Sequence, residues 1–129
     1  MAIVNLGTFN LDIGQGPYIS NTFAYDERNA YAIYAEFNST NFGNIFSFAR
    51  IYPYVFPTGG VARLIAPYLD LEIIDLPQLF YFPCSQLFDG NGDAFFYIER
   101  RSFYTGGGDG EPVNLTLTYD DTIDVRTWL

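Results

Sequence analysis

The residues that come nearest to a binding chemistry are Asp89-Gly90-Asn91-Gly92-Asp93. Oxygen-bearing side chains stand at alternate positions, and the glycines between them let the backbone curl. Hard cations take oxygen ligands, so Asp89, Asn91 and Asp93 are candidate ligands for calcium. The same five residues also spell a plain Asn-Gly hairpin turn, which needs no ion. A second acidic group, Asp120, Asp121 and Asp124, reads as a solvated turn.

The first loop resembles the opening half of an EF-hand calcium loop over those five residues and departs from it afterwards. Ala94 stands where that loop has its invariant glycine, and Arg100 stands at the twelfth position in place of a bidentate glutamate. Flanking helices are not expected either. Calcium is thus the one cofactor with any support, and the base expectation is none.

Other chemistries are closed by composition. The chain has no histidine, which excludes a Ser–His–Asp or Cys–His constellation. Its six basic residues are all arginine, so a lysine Schiff base and a phosphate-loop lysine are excluded too. Zinc sites need several Cys or His, and Cys84 is the only cysteine. It reads as a small buried hydrophobe. Gly14-Gln15-Gly16 is too short for a dinucleotide fingerprint, and Pro17 follows where a helix would have to open. Glu36, Glu72, Glu99 and Glu111 offer carboxylates for a glycosidase-like pair, but no spacing joins any two, and solvated side chains are the simpler reading. The expectation is a protein that is not an enzyme.

The larger resource is aromatic: 13 Phe, 11 Tyr and 1 Trp in 129 residues. From Ile45 to Phe56, one face carries Ile45, Ala49 and Ile51 and the other carries Phe46, Phe48, Tyr52 and Tyr54. Leu79-Phe80-Tyr81-Phe82 is apolar on both faces as well. One sandwich has one inner layer, so a second apolar face calls for a cover. Phe46, Phe48, Tyr52, Tyr54, Phe80 and Phe82 are the candidate interface residues. Loops of the same chain are the alternative cover, with tyrosine hydroxyls reaching water.

The elements that must position these residues are strands. Val113, Leu115, Leu117 and Tyr119 alternate with Asn114, Thr116 and Thr118, the period of a half-buried strand. Tyr31, Ile33, Ala35 and Phe37 share one face of the next clearest run. Phe95, Tyr97 and Glu99 oppose Phe96, Ile98 and Arg100, and Glu99 beside Arg100 and Arg101 suggests surface ion pairing. Further strands are expected at Ile3–Ile13, Tyr18–Tyr25, Ile45–Phe56, Val61–Ile74, Leu79–Phe82 and Thr122–Trp128. Asp26-Glu27-Arg28-Asn29 looks like a tight hairpin connection. Pro53, Pro57, Pro67 and Pro83 each delete a ladder donor, so their strands are edges, bent or interrupted. The fold class that follows is all-β: a single-domain antiparallel β-sandwich over residues 1–129, jelly-roll-like, with about eight strands and little or no helix.

Charge narrows the partners. Fifteen acidic residues against six basic ones leave −9, a field that repels phosphate backbones and anionic membranes. Neither a nucleic acid nor a membrane is expected as partner. The N-terminus lacks the pattern of a signal peptide, and no apolar run is long enough to span a bilayer. Synthesis in the cytoplasm is expected, with incorporation in a virion as one destination. The function expected is a structural or assembly protein contacting other copies of itself or a protein shell, such as a capsid decoration (cement) or tail-associated protein of a bacterial virus. Ile3 to Leu11 and Val125 to Leu129 are candidate arms, or else edge strands of the chain's own sheet. The alternative is a carbohydrate-binding module with a platform from Tyr52, Tyr54, Tyr104 or Trp128, with a structural calcium.

Overall fold

A computed structural model describes residues 3–12, 16–25, 31–57, 63–64, 68–82, 92–103 and 111–120. These residues form ten strands and one 3-10 turn, Phe42–Asn44. The strands are β1 (Ile3–Leu11), β2 (Tyr18–Ile19), β3 (Phe23–Tyr25), β4 (Tyr31–Asn38), β5 (Ser47–Pro57), β6 (Arg63–Leu64), β7 (Leu69–Glu72), β8 (Gln78–Phe82), β9 (Gly92–Ser102) and β10 (Val113–Asp120).

Two antiparallel sheets result. Sheet A has the order β1-β10-β4-β8. Sheet B is built on β9 and β5, with β2 and β3 both pairing β9 and β6 and β7 both pairing β5. Each of those couples occupies one edge, so sheet B is also four strands wide. Counted this way there are eight strand positions, and the first pairs the eighth, the second the seventh, the third the sixth and the fourth the fifth. That is one long hairpin rolled up so that successive pairs alternate between sheets, the jelly-roll connection.

Alternation builds the core. Val113, Leu115, Leu117 and Tyr119 of β10 are buried while Asn114, Thr116 and Thr118 turn outward. Ile33, Ala35 and Phe37 of β4 join them, and sheet B contributes Ala49, Ile51, Val55, Ala94, Phe96 and Ile98. Aromatic rings bridge the sheets: Phe80 of β8 meets Phe96 of β9 at 5.8 Å, and Phe23 of β3 meets Tyr119 of β10 at 5.1 Å between centroids.

The edges are broken in ways that bend them. Gly7 lies at a bulge in β1 with φ +130°, and a Cβ there would sit 2.6 Å from the Phe9 ring, so glycine is required. The Gly7 N–H donates to Asn5 Oδ1 at 2.7 Å. Between β2 and β3 the Asn21 N–H leaves its own sheet and donates to the Leu6 carbonyl of β1 at 2.8 Å. The two irregularities therefore meet, and they join the sheets along one side. Pro53 pairs Phe96 on one flank of β5; on the other flank it falls between the Ile51–Leu69 and Tyr54–Leu64 pairs. The missing donor coincides with the interruption of the edge strand.

One sequence expectation is corrected here. β3 belongs to sheet B and β4 to sheet A, so these two strands do not pair as a hairpin; residues 26–29 themselves lie outside the described residues. Of the two roles open to Ile3–Leu11, arm or edge strand, the structure has the edge strand, paired with β10. The expected strand at Thr122–Trp128 lies outside the described residues.

Arg100 shows how an apolar interior accommodates a charge. Its side chain turns inward opposite Ala49, whose small side chain leaves room, and the residue is only 3% exposed. Nε donates to Ser47 Oγ at 2.9 Å, and Nη1 donates to the carbonyls of Leu11 at 2.9 Å and Glu111 at 2.7 Å. One guanidinium thus ties β9 to the end of β1 and to the residues that lead into β10. Among the described residues the surface ion pair of Glu99 is with Arg101, two positions along the same strand; Arg100 is on the other face of the strand.

Candidate functional site

The outer faces of the two sheets are chemically unlike. On sheet A, cross-strand register aligns Asn10, Asn114 and Asn38 in one row and Thr8, Thr116 and Glu36 in the next. Thr8 and Thr116 share a hydroxyl contact at 3.1 Å. The face is otherwise solvated, with Tyr34 of β4 and Leu79 of β8, cross-strand neighbours, exposed toward one edge.

The outer face of sheet B is aromatic. β5 presents Phe48, Arg50, Tyr52 and Tyr54, because Ala49, Ile51, Pro53 and Val55 take the inner positions. Register sets Arg101, Glu99, Tyr97 and Phe95 of β9 opposite those four in turn. Tyr54 stacks on Phe95 at 5.5 Å and meets Tyr97 edge-on at 4.6 Å. Tyr52 meets Tyr68 at 5.8 Å, and Phe48 meets Phe103 at 5.1 Å. Large apolar side chains stay open to solvent on this face and its rim: Ile19 at 56%, Phe46 at 48%, Tyr68 at 49% and Phe103 at 61%.

Charge runs through the aromatic field as paired groups. Arg50 forks onto Asp70, with Nε at 2.8 Å from Oδ1 and Nη2 at 3.2 Å from Oδ2. Its guanidinium lies 3.8 Å above the Tyr68 ring centroid and 5.5 Å from that of Phe48. The Asp70 hydrogen bonds, partly opposed by burial, raise the Arg50 pKa further above its already alkaline value. Arg50 is therefore cationic at every working pH. Glu99 Oε2 accepts from Arg101 Nη1 at 3.3 Å and from the Tyr52 hydroxyl at 3.4 Å. Beside it, Pro17, Tyr52, Tyr54, Tyr97 and Glu99 line a shallow depression of about 210 Å³.

The structure groups the sequence candidates as follows. Phe46, Phe48, Tyr52 and Tyr54 lie together on the outer face of sheet B, on the side of β5 that alternation assigns them. Phe80 does not join them. It pairs Ile33 and turns to the core, because the core side of β4 sets the facing of β8. The side chain of Phe82 lies outside the described residues. Tyr97 and Phe95 of β9, and Tyr68 beside β7, complete the face. The alternation of β9 had Tyr97 and Phe95 on one side, but only cross-strand register brings them against Tyr52 and Tyr54.

Asp89 and Asn91 lie outside the described residues. Asp93 is exposed on β9, opposite Phe56 and Ala24. Among the described residues no group of three or more His, Cys, Asp or Glu is placed to hold a metal ion. Of the carboxylates considered for acid–base work, Glu36 is on sheet A, Glu72 and Glu99 are on sheet B separated by β5, and Glu111 precedes β10. Among the described residues, no helix is long and apolar enough to cross a membrane.

Comparison with protein-family models, with curated proteins and with solved structures finds no match for this chain.

Proposed function

We propose that this chain is a non-enzymatic structural or assembly protein that docks on other copies of itself or on a protein shell through the outer face of sheet B. A virion component, such as a capsid decoration or tail-associated protein of a bacterial virus, is the setting this reading fits best. The observation that carries it is the contrast between the two outer faces. Sheet A turns mostly Asn and Thr to solvent, with Tyr34 and Leu79 exposed toward one edge, while sheet B carries half-buried Phe48, Tyr52, Tyr54 and Tyr97 around a buried Phe95 on its outer face, with four open apolar side chains around them. Contiguous aromatic surface with interspersed arginine is the composition of interface cores. The rings are already locked against one another, so docking them costs little side-chain entropy.

Two measurements test the reading together. Light scattering on a size-exclusion column, over a range of concentrations, reports self-assembly. Mass spectrometry of density-purified particles from cells that make the chain reports attachment to a shell. A strictly monomeric protein that is also missing from particles would overturn the proposal.

The second reading is a carbohydrate-binding module, favoured by the depression itself. Tyr52, Tyr54 and Tyr97 offer ring faces to the C–H face of a sugar, and Glu99 offers an acceptor to its hydroxyls. Tyr104 and Trp128, the other platform candidates, lie outside the described residues. A glycan array on the monomer, repeated with Tyr97→Ser, decides between the two readings.

A further inference from the structure

We infer that the depression formed by Tyr52, Tyr54, Tyr97 and Glu99 receives a basic side chain, arginine foremost, presented by a different protein. The inference rests on reading the outer face of sheet B as a docking surface, and it names the partner's chemistry.

The same face already shows how it holds a guanidinium. The Arg50 guanidinium carbon lies over Tyr68 at 3.8 Å from the ring centroid, and the group forks onto Asp70 at 2.8 and 3.2 Å. An aromatic face and a carboxylate are the two elements of that cradle. The depression, on the other side of Arg50 across the sheet, repeats them: three tyrosine rings with Glu99 at the wall. Its volume of about 210 Å³ holds a guanidinium and the methylenes behind it. A planar cation gains from ring quadrupole and carboxylate together, and desolvation strengthens both.

Glu99 is the less committed of the two carboxylates. Its contacts with Arg101 and Tyr52 are long, 3.3 and 3.4 Å, and both fall on Oε2. Among the described residues no hydrogen bond falls on Oε1. Oε1 can therefore accept a charged N–H without breaking a good contact.

Charge selects a foreign partner over a second copy. The described side chains of this face carry Asp70, Glu72, Asp93 and Glu99 against Arg50 and Arg101, an excess of two negative charges. The whole chain carries −9, so two copies repel, whereas a basic surface is attracted.

The experiment is an amide chemical-shift titration of the ¹⁵N-labelled protein with Nα-acetyl-arginine N-methylamide. The citrulline analogue, equal in shape and uncharged, is titrated in parallel. The arginine probe should move the amides of Tyr52, Tyr54, Tyr97 and Glu99 saturably, with Kd on the order of 10 mM. The citrulline probe and the Glu99→Gln variant should each bind about tenfold more weakly. An unchanged amide spectrum away from β9 shows that the variant is folded. Equal binding of the two probes, undiminished binding to Glu99→Gln, or shifts centred elsewhere would overturn the inference. So would maltohexaose or cellohexaose moving these amides where the arginine probe does not, which would assign the depression to a glycan. Mass spectrometry of density-purified particles from cells making the wild type or Tyr54→Ser/Tyr97→Ser reads docking on a shell independently of what enters the depression. A failed arginine titration beside aromatic-dependent assembly removes this inference and leaves the docking surface standing.

Discussion

Replacing Arg100 with methionine isolates what one buried guanidinium contributes to the sandwich. Methionine keeps most of the apolar stem, so the change is chiefly the loss of the charged head. With it go the contacts to Ser47 Oγ at 2.9 Å, the Leu11 carbonyl at 2.9 Å and the Glu111 carbonyl at 2.7 Å, counted among the described residues. Hydrogen bonds to charged groups contribute about 1.5–3 kcal/mol each. Burying the cation offsets part of that sum, and water can reach the half-buried Glu111 end, so a net loss of about 3 kcal/mol is expected. For 129 residues the unfolding entropy near the midpoint is about 0.27 kcal/mol per degree, so Tm should fall by roughly 10 °C. Arg100→Lys keeps the charge but cannot fork between three acceptors on two elements, and should recover less than half of the loss. Calorimetry gives Tm, and hydrogen exchange should show the residues around Leu11 and Glu111 opening first. A Tm within about 2 °C of wild type for Arg100→Met would refute the view that this residue clamps the sheets.

Four further outcomes are expected. Gly7→Ala places a Cβ against the Phe9 ring at φ +130°, and should cost about 2 kcal/mol or more in urea unfolding, with the slope unchanged. Leu115→Ala empties a fully buried position in the centre of sheet A and should cost about 3 kcal/mol in the same assay. Asp70→Asn breaks the Arg50 fork at a partly exposed site, and should change stability by less than about 1 kcal/mol. Tyr54→Ser/Tyr97→Ser removes the 4.6 Å ring pair and should cost about 1–2 kcal/mol in urea unfolding, while abolishing recovery of the chain with purified particles.

Alternation made most of the fold legible. Val113 to Tyr119 carries Asn or Thr between core residues, Ile33 to Phe37 carries Tyr34 and Glu36 between them, and in both segments the alternate set is buried. Where both faces are apolar, alternation separates the residues into two sets without saying which set is buried. In β5 the structure buries Ala49 and Ile51 and leaves Phe48, Tyr52 and Tyr54 half-buried on the opposite face. In Leu79-Phe80-Tyr81-Phe82 the two sets are equivalent by composition, and the facing is settled by pairing with Ile33, which is 47 positions away in sequence. Arg100 was hidden for a related reason. A charge beside Glu99 looks like surface chemistry until cross-strand register puts Ala49 opposite it and three acceptors within reach.

The same long-range register makes the outer face of sheet B more than a consequence of composition. A chain that merely tolerated extra aromatics would scatter them over both sheets and along the loops. Here the outer face of sheet A carries the row Asn10, Asn114 and Asn38 and the Thr8–Thr116 pair, with one ring, Tyr34, beside Leu79, while Phe48, Tyr52, Tyr54, Phe95 and Tyr97 collect on β5 and β9, the two central strands of sheet B. Central strands are the rigid part of a sandwich, held on both flanks, and the broken edges lie beside them. Rings on those two strands are held in fixed mutual positions before any partner arrives. An aromatic set serving only solubility or packing has no need of that rigidity, whereas a docking surface does.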